Sequence, residues 1–175
     1  MRRWIVIAMA GLCAACINDP DDTTGQGAEI VVGNTLPSFS VTTSEGRTLS
    51  TDMLQGQASV IVFFHTGCPD CQRELPILDT LYTRHRQDQR FTLLCIARAQ
   101  GKGEILPFWQ SHKLEMPFSP QADKAVFELF AQSRIPRIYI SDGKCIVRYQ
   151  HDDRQMPDLP TLEGELADVR ATLGD

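Results

Sequence analysis

The sequence predicts an α/β domain with a central mixed sheet and helices on both of its faces. Two short apolar runs, at residues 60–64 and 91–97, have the length and composition of buried strands, and apolar residues at helical spacing follow each of them. Near the carboxyl end, Ser141-Asp142-Gly143 joins two more strand-like segments and is a strong hairpin signal. Strands that alternate with helices and then end in a hairpin and a helix indicate a layered sheet of mixed direction.

The amino-terminal part of this domain, which we place from residue 33, is predicted to form a β-hairpin. Residues 39–43 and 47–49 are its strands, joined at the turn dipeptide Glu45-Gly46. Ser50 or Thr51 can then cap a short helix. This hairpin is expected to precede the central sheet.

The later elements follow from apolar spacing and from turn residues. Helices are predicted over residues 69–87, 104–112 and 123–131, and from a cap at Thr161. Strands are predicted at residues 137–141 and 144–149. Segments rich in proline or in polar residues are expected to be irregular: 98–103, 113–121 and 151–160.

The amino terminus has the pattern of an export signal. Arg2 and Arg3 precede an apolar stretch, residues 4–12, that is too short to span a bilayer, and Ala14-Ala15 then stand before Cys16. This order of residues is typical of a lipoprotein signal peptide, in which Cys16 is lipidated. A plain secretory signal cut elsewhere and an uncleaved short anchor are the alternatives, and each of them also exports the domain.

The chain of 175 residues therefore divides into three predicted parts. Residues 1–15 form the signal peptide, residues 16–32 form the lipidated cysteine and a polar, flexible tether, and residues 33–175 form the folded domain. The expected location is the cell envelope, on a membrane surface that faces the periplasm or the outside of the cell.

Charge excludes some classes of partner. Without Arg2 and Arg3 the chain keeps 15 basic and 22 acidic residues, a net charge of −7. Such a surface disfavours nucleic acid and anionic lipid as binding partners, because both carry negative charge.

The chemistry is predicted at Cys68-Pro69-Asp70-Cys71, where the first apolar strand meets a helix. A thiol at the start of a helix lies beside unpaired backbone N–H groups, which favour its thiolate, and a second thiol one turn later can resolve a mixed disulfide. A static disulfide is a poor alternative, because so short a separation closes almost no loop. Half of a zinc site is the other alternative, but nearby His65 has no partner at the usual ligand spacing.

At these residues the sequence resembles the thioredoxin superfamily, and within it the membrane-anchored TlpA/ResA-like thiol-disulfide reductases. The resemblance spans roughly residues 33–173 and rests on the strand before the dithiol, on the dithiol itself, on Glu74-Leu75-Pro76 and on Ile135-Pro136. It implies a thioredoxin-like fold, with the amino-terminal hairpin and a strand–helix insertion before Ile135. It implies no cofactor and no metal.

The resemblance gives each residue of the dithiol an expected role. Cys68 is the attacking thiol and the better-buried Cys71 is the resolving thiol. Pro69 and Asp70 tune the pair, since a carboxylate near Cys68 raises its pKa and moves the couple toward stronger reduction. A plain interaction of Asp70 with the helix dipole is compatible with this role.

Two further sites follow from the same resemblance. Glu74 matches a proton-handling glutamate, although an ordinary acid in the first turns of a helix is an equal interpretation. The preceding strand has Val62 at the position where minimal thioredoxins carry a buried aspartate. Ile135 and Pro136 resemble the cis-proline loop that presents backbone groups to a substrate chain. Gly67 replaces the usual tryptophan, so we expect a more open site.

The predicted function is the reduction of protein disulfides. The partners it requires are client proteins with disulfides, an upstream thiol electron donor, and a membrane bound through the amino-terminal lipid. An oxidase or isomerase role stays open, because direction depends on the reduction potential. A peroxiredoxin is disfavoured, because Ile61 and His65 stand where its motif has proline and threonine. A metal-binding or metallochaperone lipoprotein, with His65, Cys68 and Cys71 as ligands, is the non-enzymatic alternative.

Cys95 and Cys145 remain outside the dithiol. Each is predicted in a strand, and in a thioredoxin-like sheet two other strands separate these two. A bridge between them would exceed the reach of a disulfide, so both are expected to be buried free thiols. A second redox pair is the alternative.

Overall fold

The architecture was obtained as a computed structural model that describes residues 29–174. The predicted signal peptide, Cys16 and most of the predicted tether lie outside these residues. Within them, no helix is long and apolar enough to cross a membrane.

A small hairpin precedes the main sheet, as predicted. Strands β1 (Ser40–Thr42) and β2 (Thr48–Ser50) pair antiparallel, and a 3₁₀ turn, Thr51–Leu54, follows directly. Ser50 precedes this turn but its side chain makes no capping bond. Thr51 instead uses its hydroxyl to accept from the Phe39 N–H and to donate to the Pro37 carbonyl, at 3.0 and 2.7 Å, which fixes the hairpin to the turn.

Five strands form the central mixed sheet, in the order β5-β4-β3-β6-β7. They are β3 (Ala58–Phe64), β4 (Phe91–Ala97), β5 (Phe118–Ser119), β6 (Arg137–Ser141) and β7 (Val147–His151). Strand β3 runs parallel to β4 and antiparallel to β6, and β6 runs antiparallel to β7. The predicted α/β class with a mixed sheet is therefore confirmed.

Four helices connect and cover the strands: α1 (Pro69–His85), α2 (Lys102–His112), α3 (Ala125–Glu128) and α4 (Leu159–Ala171). Side chains of α1, α2 and α4 pack with alternate residues of β3 and β4 in one apolar core. The hairpin, the 3₁₀ turn and α3 pack against the opposite sheet face in a second core. Both faces of the sheet are thus covered, which explains why β3 is apolar at nearly every position.

Several predicted boundaries are wrong for identifiable physical reasons. The stretch 113–121 was expected to be irregular, yet Phe118–Ser119 pairs in parallel with Cys95 and Ile96 of β4, a tertiary contact that the local sequence does not show. Helix α3 ends after one turn, since the Phe130 N–H bonds to the carbonyl only three residues earlier. Helix α4 is capped by Asp158, whose carboxylate accepts from the Thr161 N–H at 2.9 Å, so Thr161 is not the cap.

The packed domain also begins earlier than residue 33. Ile30 is buried in the second core, and its N–H donates to the Phe130 carbonyl at 2.8 Å. Beyond it, Gly33 and Leu36 donate to carbonyls of Val147 and Cys145, so the incoming chain runs along the outer edge of β7. An edge strand covered in this way is protected from pairing with other chains.

Candidate functional site

Cys68 lies at the point where α1 begins, immediately after the turn that leaves β3. Pro69 occupies the first helical turn, where its missing N–H costs nothing. The Cys68 side chain is partly exposed, and its thiol donates a hydrogen bond to the Ile135 carbonyl at a distance of 3.6 Å. It makes no capping bond to the helix.

Cys71 lies within the first turn of α1 and is fully buried. Burial raises its pKa well above the usual range, only partly offset by a backbone hydrogen bond from the loop at His65. Within the described residues, no disulfide joins Cys68 and Cys71. Cys68 is thus the more accessible of the two thiols, and the order in which Cys68 attacks and Cys71 resolves stays a prediction.

Glu74 is a buried carboxyl on the same helix. Glu74 is 1% exposed, and its Oε1 has no hydrogen-bond partner within the described part of the chain. Desolvation by burial raises its pKa from 4.5 to about 7. Glu74 is the third residue after Cys71, a spacing that puts both side chains on one helix face. Glu74 is therefore shielded from solvent, and its role in handling protons stays a prediction.

Asp70 lies in the first turn of α1. Its carboxylate forms an ion pair with Arg73, one turn further along α1. Asp70 also contributes, as the smallest of several causes, to the raised pKa of Cys71. The Asp70 carboxylate thus interacts with the guanidinium of Arg73 as well as with the dithiol. Tuning of the dithiol by Asp70 and Pro69 stays a prediction.

Ile135 and Pro136 lie opposite the dithiol, as expected, and the peptide bond between them is cis. Ile135 packs partly against both cores, at the edge where they meet. Its carbonyl accepts the Cys68 thiol, so the two predicted parts of the site, separated by 67 residues, are in direct contact.

The turn before Cys68 is held by a residue that sequence reasoning missed. Gln100 is buried, and its amide accepts from the Thr66 N–H and donates to the Thr66 hydroxyl, at 2.9 and 2.6 Å. Gln72 donates to the Thr66 carbonyl at 2.7 Å. These contacts fix the backbone two residues before the attacking thiol. Nothing in the local sequence marks Gln100, since it stands in a polar, glycine-containing loop.

His65 and Gly67 complete this turn. The His65 imidazole accepts the Gly67 N–H at its Nδ1, 2.9 Å away. A Cβ at residue 67 would lie 3.2 Å from the same Nδ1, so a larger residue there would require the imidazole to shift. Among residues 29–174, no group of three or more His, Cys, Asp or Glu side chains could hold a metal ion.

The two remaining cysteines lie in different cores. Cys95 is in β4 on the α1 side of the sheet, and its thiol lies 3.5 Å from the Met116 sulfur. Cys145 was predicted to lie in a strand, but this prediction is wrong. The residue lies in the turn before β7 and has a φ of 58°. Two strands separate β4 from β7, and the two thiols lie on opposite faces of the sheet. The expected absence of a bridge between them agrees with this placement.

The fold and the dithiol together define a thioredoxin-like oxidoreductase. Residues 32–150 match the AhpC/TSA family, and the chain belongs to that family.

Similar proteins agree with this class. The thiol-disulfide oxidoreductase ResA of Geobacillus thermodenitrificans is 25% identical over 113 residues, which cover 65% of this chain and 64% of that protein. The ResA of Bacillus subtilis is 22% identical over 116 residues, with the same coverage. The chain thus spans about two thirds of the length of these curated relatives.

Solved structures share the fold. A thiol:disulfide interchange protein of the thioredoxin family from Chlorobium tepidum superposes with a TM-score of 0.68 at 21% identity, covering 84% of this chain and all of that one. StoA from Bacillus subtilis superposes with a TM-score of 0.64 at 20% identity, covering 74% of this chain and 96% of that one.

Proposed function

We propose that this protein is an exported, membrane-anchored thiol-disulfide oxidoreductase that reduces disulfides of client proteins. The observation that carries the proposal is the position of Glu74, a buried carboxyl with a pKa of about 7, on the same face of α1 as the buried thiol of Cys71. A buried base that titrates near neutral pH suits the transfer of a proton from a thiol that cannot ionise by itself.

The reaction has two exchange steps. The Cys68 thiolate attacks one sulfur of the client disulfide, which forms a mixed disulfide and releases the other client sulfur as a thiolate. Cys71 then gives its proton to the Glu74 carboxylate and attacks the Cys68 sulfur. The second client thiolate leaves, two electrons have passed to the client, and Cys68 and Cys71 are joined as a disulfide.

Client binding is assigned to the Ile135-Pro136 loop. The Ile135 carbonyl already faces the Cys68 sulfur, and an extended client chain would take the place of the thiol as its hydrogen-bond partner. A separate thiol donor must then reduce the Cys68–Cys71 disulfide, since the chain holds no further thiol on the exposed side of the dithiol among the described residues.

The equilibrium reduction potential of the dithiol tests the direction. We expect the purified full-length protein, with Cys95→Ser and Cys145→Ser, to give a value near or below about −220 mV, as reducing thioredoxin-like proteins do. A value near about −120 mV would make the protein an oxidant and would contradict the reductase proposal. The single variants Cys95→Ser and Cys145→Ser, each measured alone, show whether either replacement shifts the potential.

The membrane anchor is proposed from the sequence of residues 1–16 alone. We expect Cys16→Ser to move the protein from the membrane fraction to the soluble fraction of its export compartment, because a lipid chain supplies about 0.8 kcal/mol of binding per buried CH₂. Cys95→Ser is the matched control and should leave the distribution unchanged. Retention of Cys16→Ser at the membrane would favour an uncleaved anchor.

A further inference from the structure

Arg137 is an arginine buried against the loop that contacts Cys68. It follows Pro136 directly, and its side chain is only 4% exposed. A guanidinium carries five N–H donors and a permanent charge, so its removal from water is costly unless acceptors surround it.

Three groups supply these acceptors. The Ser133 carbonyl accepts from both Nε and Nη2 of Arg137, at 3.3 and 3.2 Å. Glu29 forms an ion pair with Nη2. The Gln150 amide, oriented to satisfy both of its neighbours, accepts from Nη1 at 2.7 Å and donates to the Ile30 carbonyl at 3.1 Å.

These contacts hold the two ends of the proposed client-binding loop, residues 134–136. The side chain of Arg137 returns to the carbonyl of Ser133, so the three residues between them, 134–136, are closed into a ring by hydrogen bonds. From outside, Arg134, which has a φ of 69°, donates to both carboxylate oxygens of Asp153, at 3.0 and 3.2 Å. The Ile135 carbonyl is thereby held from both sides.

The chain enters the domain at the same place. Glu29 pairs with Arg137, and the next residue, Ile30, is bonded through its N–H to Phe130, which lies just before the loop. The segment that leads from the amino terminus into the fold therefore supplies a carboxylate to the arginine that supports the loop.

We propose that Arg137 is a positioning residue for client binding, which fixes the Ile135 carbonyl against Cys68, and that Glu29 completes its site. The ligand class is an extended polypeptide that carries a disulfide, because the loop offers a backbone carbonyl beside Cys68 and extended chains bind through main-chain hydrogen bonds. This inference rests on the proposed function. It assigns a role to two residues that take no part in the exchange steps.

The test compares two disulfide substrates on the full-length protein: a peptide with an interchain disulfide, and the small aromatic disulfide of Ellman's reagent. Arg137→Lys keeps the charge but loses the planar fork, and Glu29→Gln removes the charge of its partner. We expect Arg137→Lys to raise KM for the peptide roughly tenfold, with a smaller rise in Glu29→Gln, while kcat for the peptide stays within about twofold.

Reduction of the small disulfide should change by less than about twofold in either variant, because that substrate needs the thiolate and not the loop. Glu45→Gln is the matched control, since Glu45 pairs with Arg47 on the exposed hairpin. Equal losses on both substrates, or an unchanged peptide KM in both variants, would overturn the proposal. If Arg137→Lys does not fold, the KM of Glu29→Gln for the peptide decides between the two outcomes.

A wild-type protein that reduces neither substrate would refute the proposed function without refuting the positioning role. Amide hydrogen exchange then separates the two. If Arg137 holds the loop in place, amide exchange across residues 134–137 should be faster in Arg137→Lys, while exchange in β3 stays unchanged. Unchanged exchange in both segments would overturn the positioning role.

Discussion

Replacement of Cys68 by serine is expected to reduce disulfide exchange to the uncatalysed background. Cys68 is the member of the dithiol that solvent reaches, whereas Cys71 is fully buried, and a hydroxyl cannot attack a disulfide at neutral pH. The measurement is the rate of reduction of a disulfide-linked peptide by the reduced protein under single-turnover conditions. This is the largest effect that the structure predicts.

Cys71→Ser should behave differently and thereby identify the order of the two thiols. The first exchange can still occur, but nothing resolves it, so a mixed disulfide between Cys68 and the peptide should accumulate and be visible by mass spectrometry. Cys95→Ser, which replaces a buried thiol outside the dithiol, is the matched control and should keep the wild-type rate. A mixed disulfide that forms on Cys68→Ser instead would reverse the assigned roles.

Glu74→Gln is expected to change how stability depends on pH. The folded-state pKa of Glu74 is about 7, raised from 4.5 by burial. Below pH 4.5 both the folded and the unfolded chain hold the proton. Between pH 4.5 and 7 the unfolded chain releases it while the folded protein keeps it, so the free energy of unfolding falls as the pH rises, by up to about 3 kcal/mol.

Glutamine cannot ionise, so the variant should escape this loss. We expect the free energy of unfolding of Glu74→Gln, relative to wild type, to increase by up to about 3 kcal/mol between pH 4 and pH 8, as measured by urea unfolding. Glu128→Gln, at an exposed position of α3, is the matched control and should show a flat difference. An equally flat difference for Glu74→Gln would show that this carboxyl is ionised at neutral pH in the fold.

The same variant tests catalysis. If Glu74 takes the proton of Cys71, the resolution step in wild type should accelerate as the pH passes about 7, and this inflection should disappear in Glu74→Gln. The first step, attack by Cys68, should be affected much less. Loss of both steps together would assign Glu74 to the support of the helix and not to proton transfer.

Local patterns predicted most of the fold. The apolar runs of β3 and β4 are buried on both faces, so their composition alone identifies them. The limits of α3 and β7 were missed for two different reasons. Helix α3 ends where the Phe130 N–H bonds to the carbonyl three residues earlier, and β7 begins at Val147, which bonds to the incoming chain at Gly33 and Asn34. Neither Phe130 nor Val147 carries a local mark of these bonds. Asp158 was missed as a cap because Thr161, three residues later, also belongs to the residue types that cap helices.

The sequence by itself determined the α/β class and the position of the dithiol, because these depend on short-range spacing and on cysteines at the start of a helix. The order of the two thiols stays a prediction. Only the tertiary structure decided that Glu74 is buried and which groups Gln100 and Arg137 contact. Burial decides whether a carboxyl is charged, and burial of Glu74 depends on strands and helices far along the chain. Gln100 and Arg137 act across 34 and 108 residues, on Thr66 and Glu29, and no local pattern encodes a contact between segments that meet only in the folded protein.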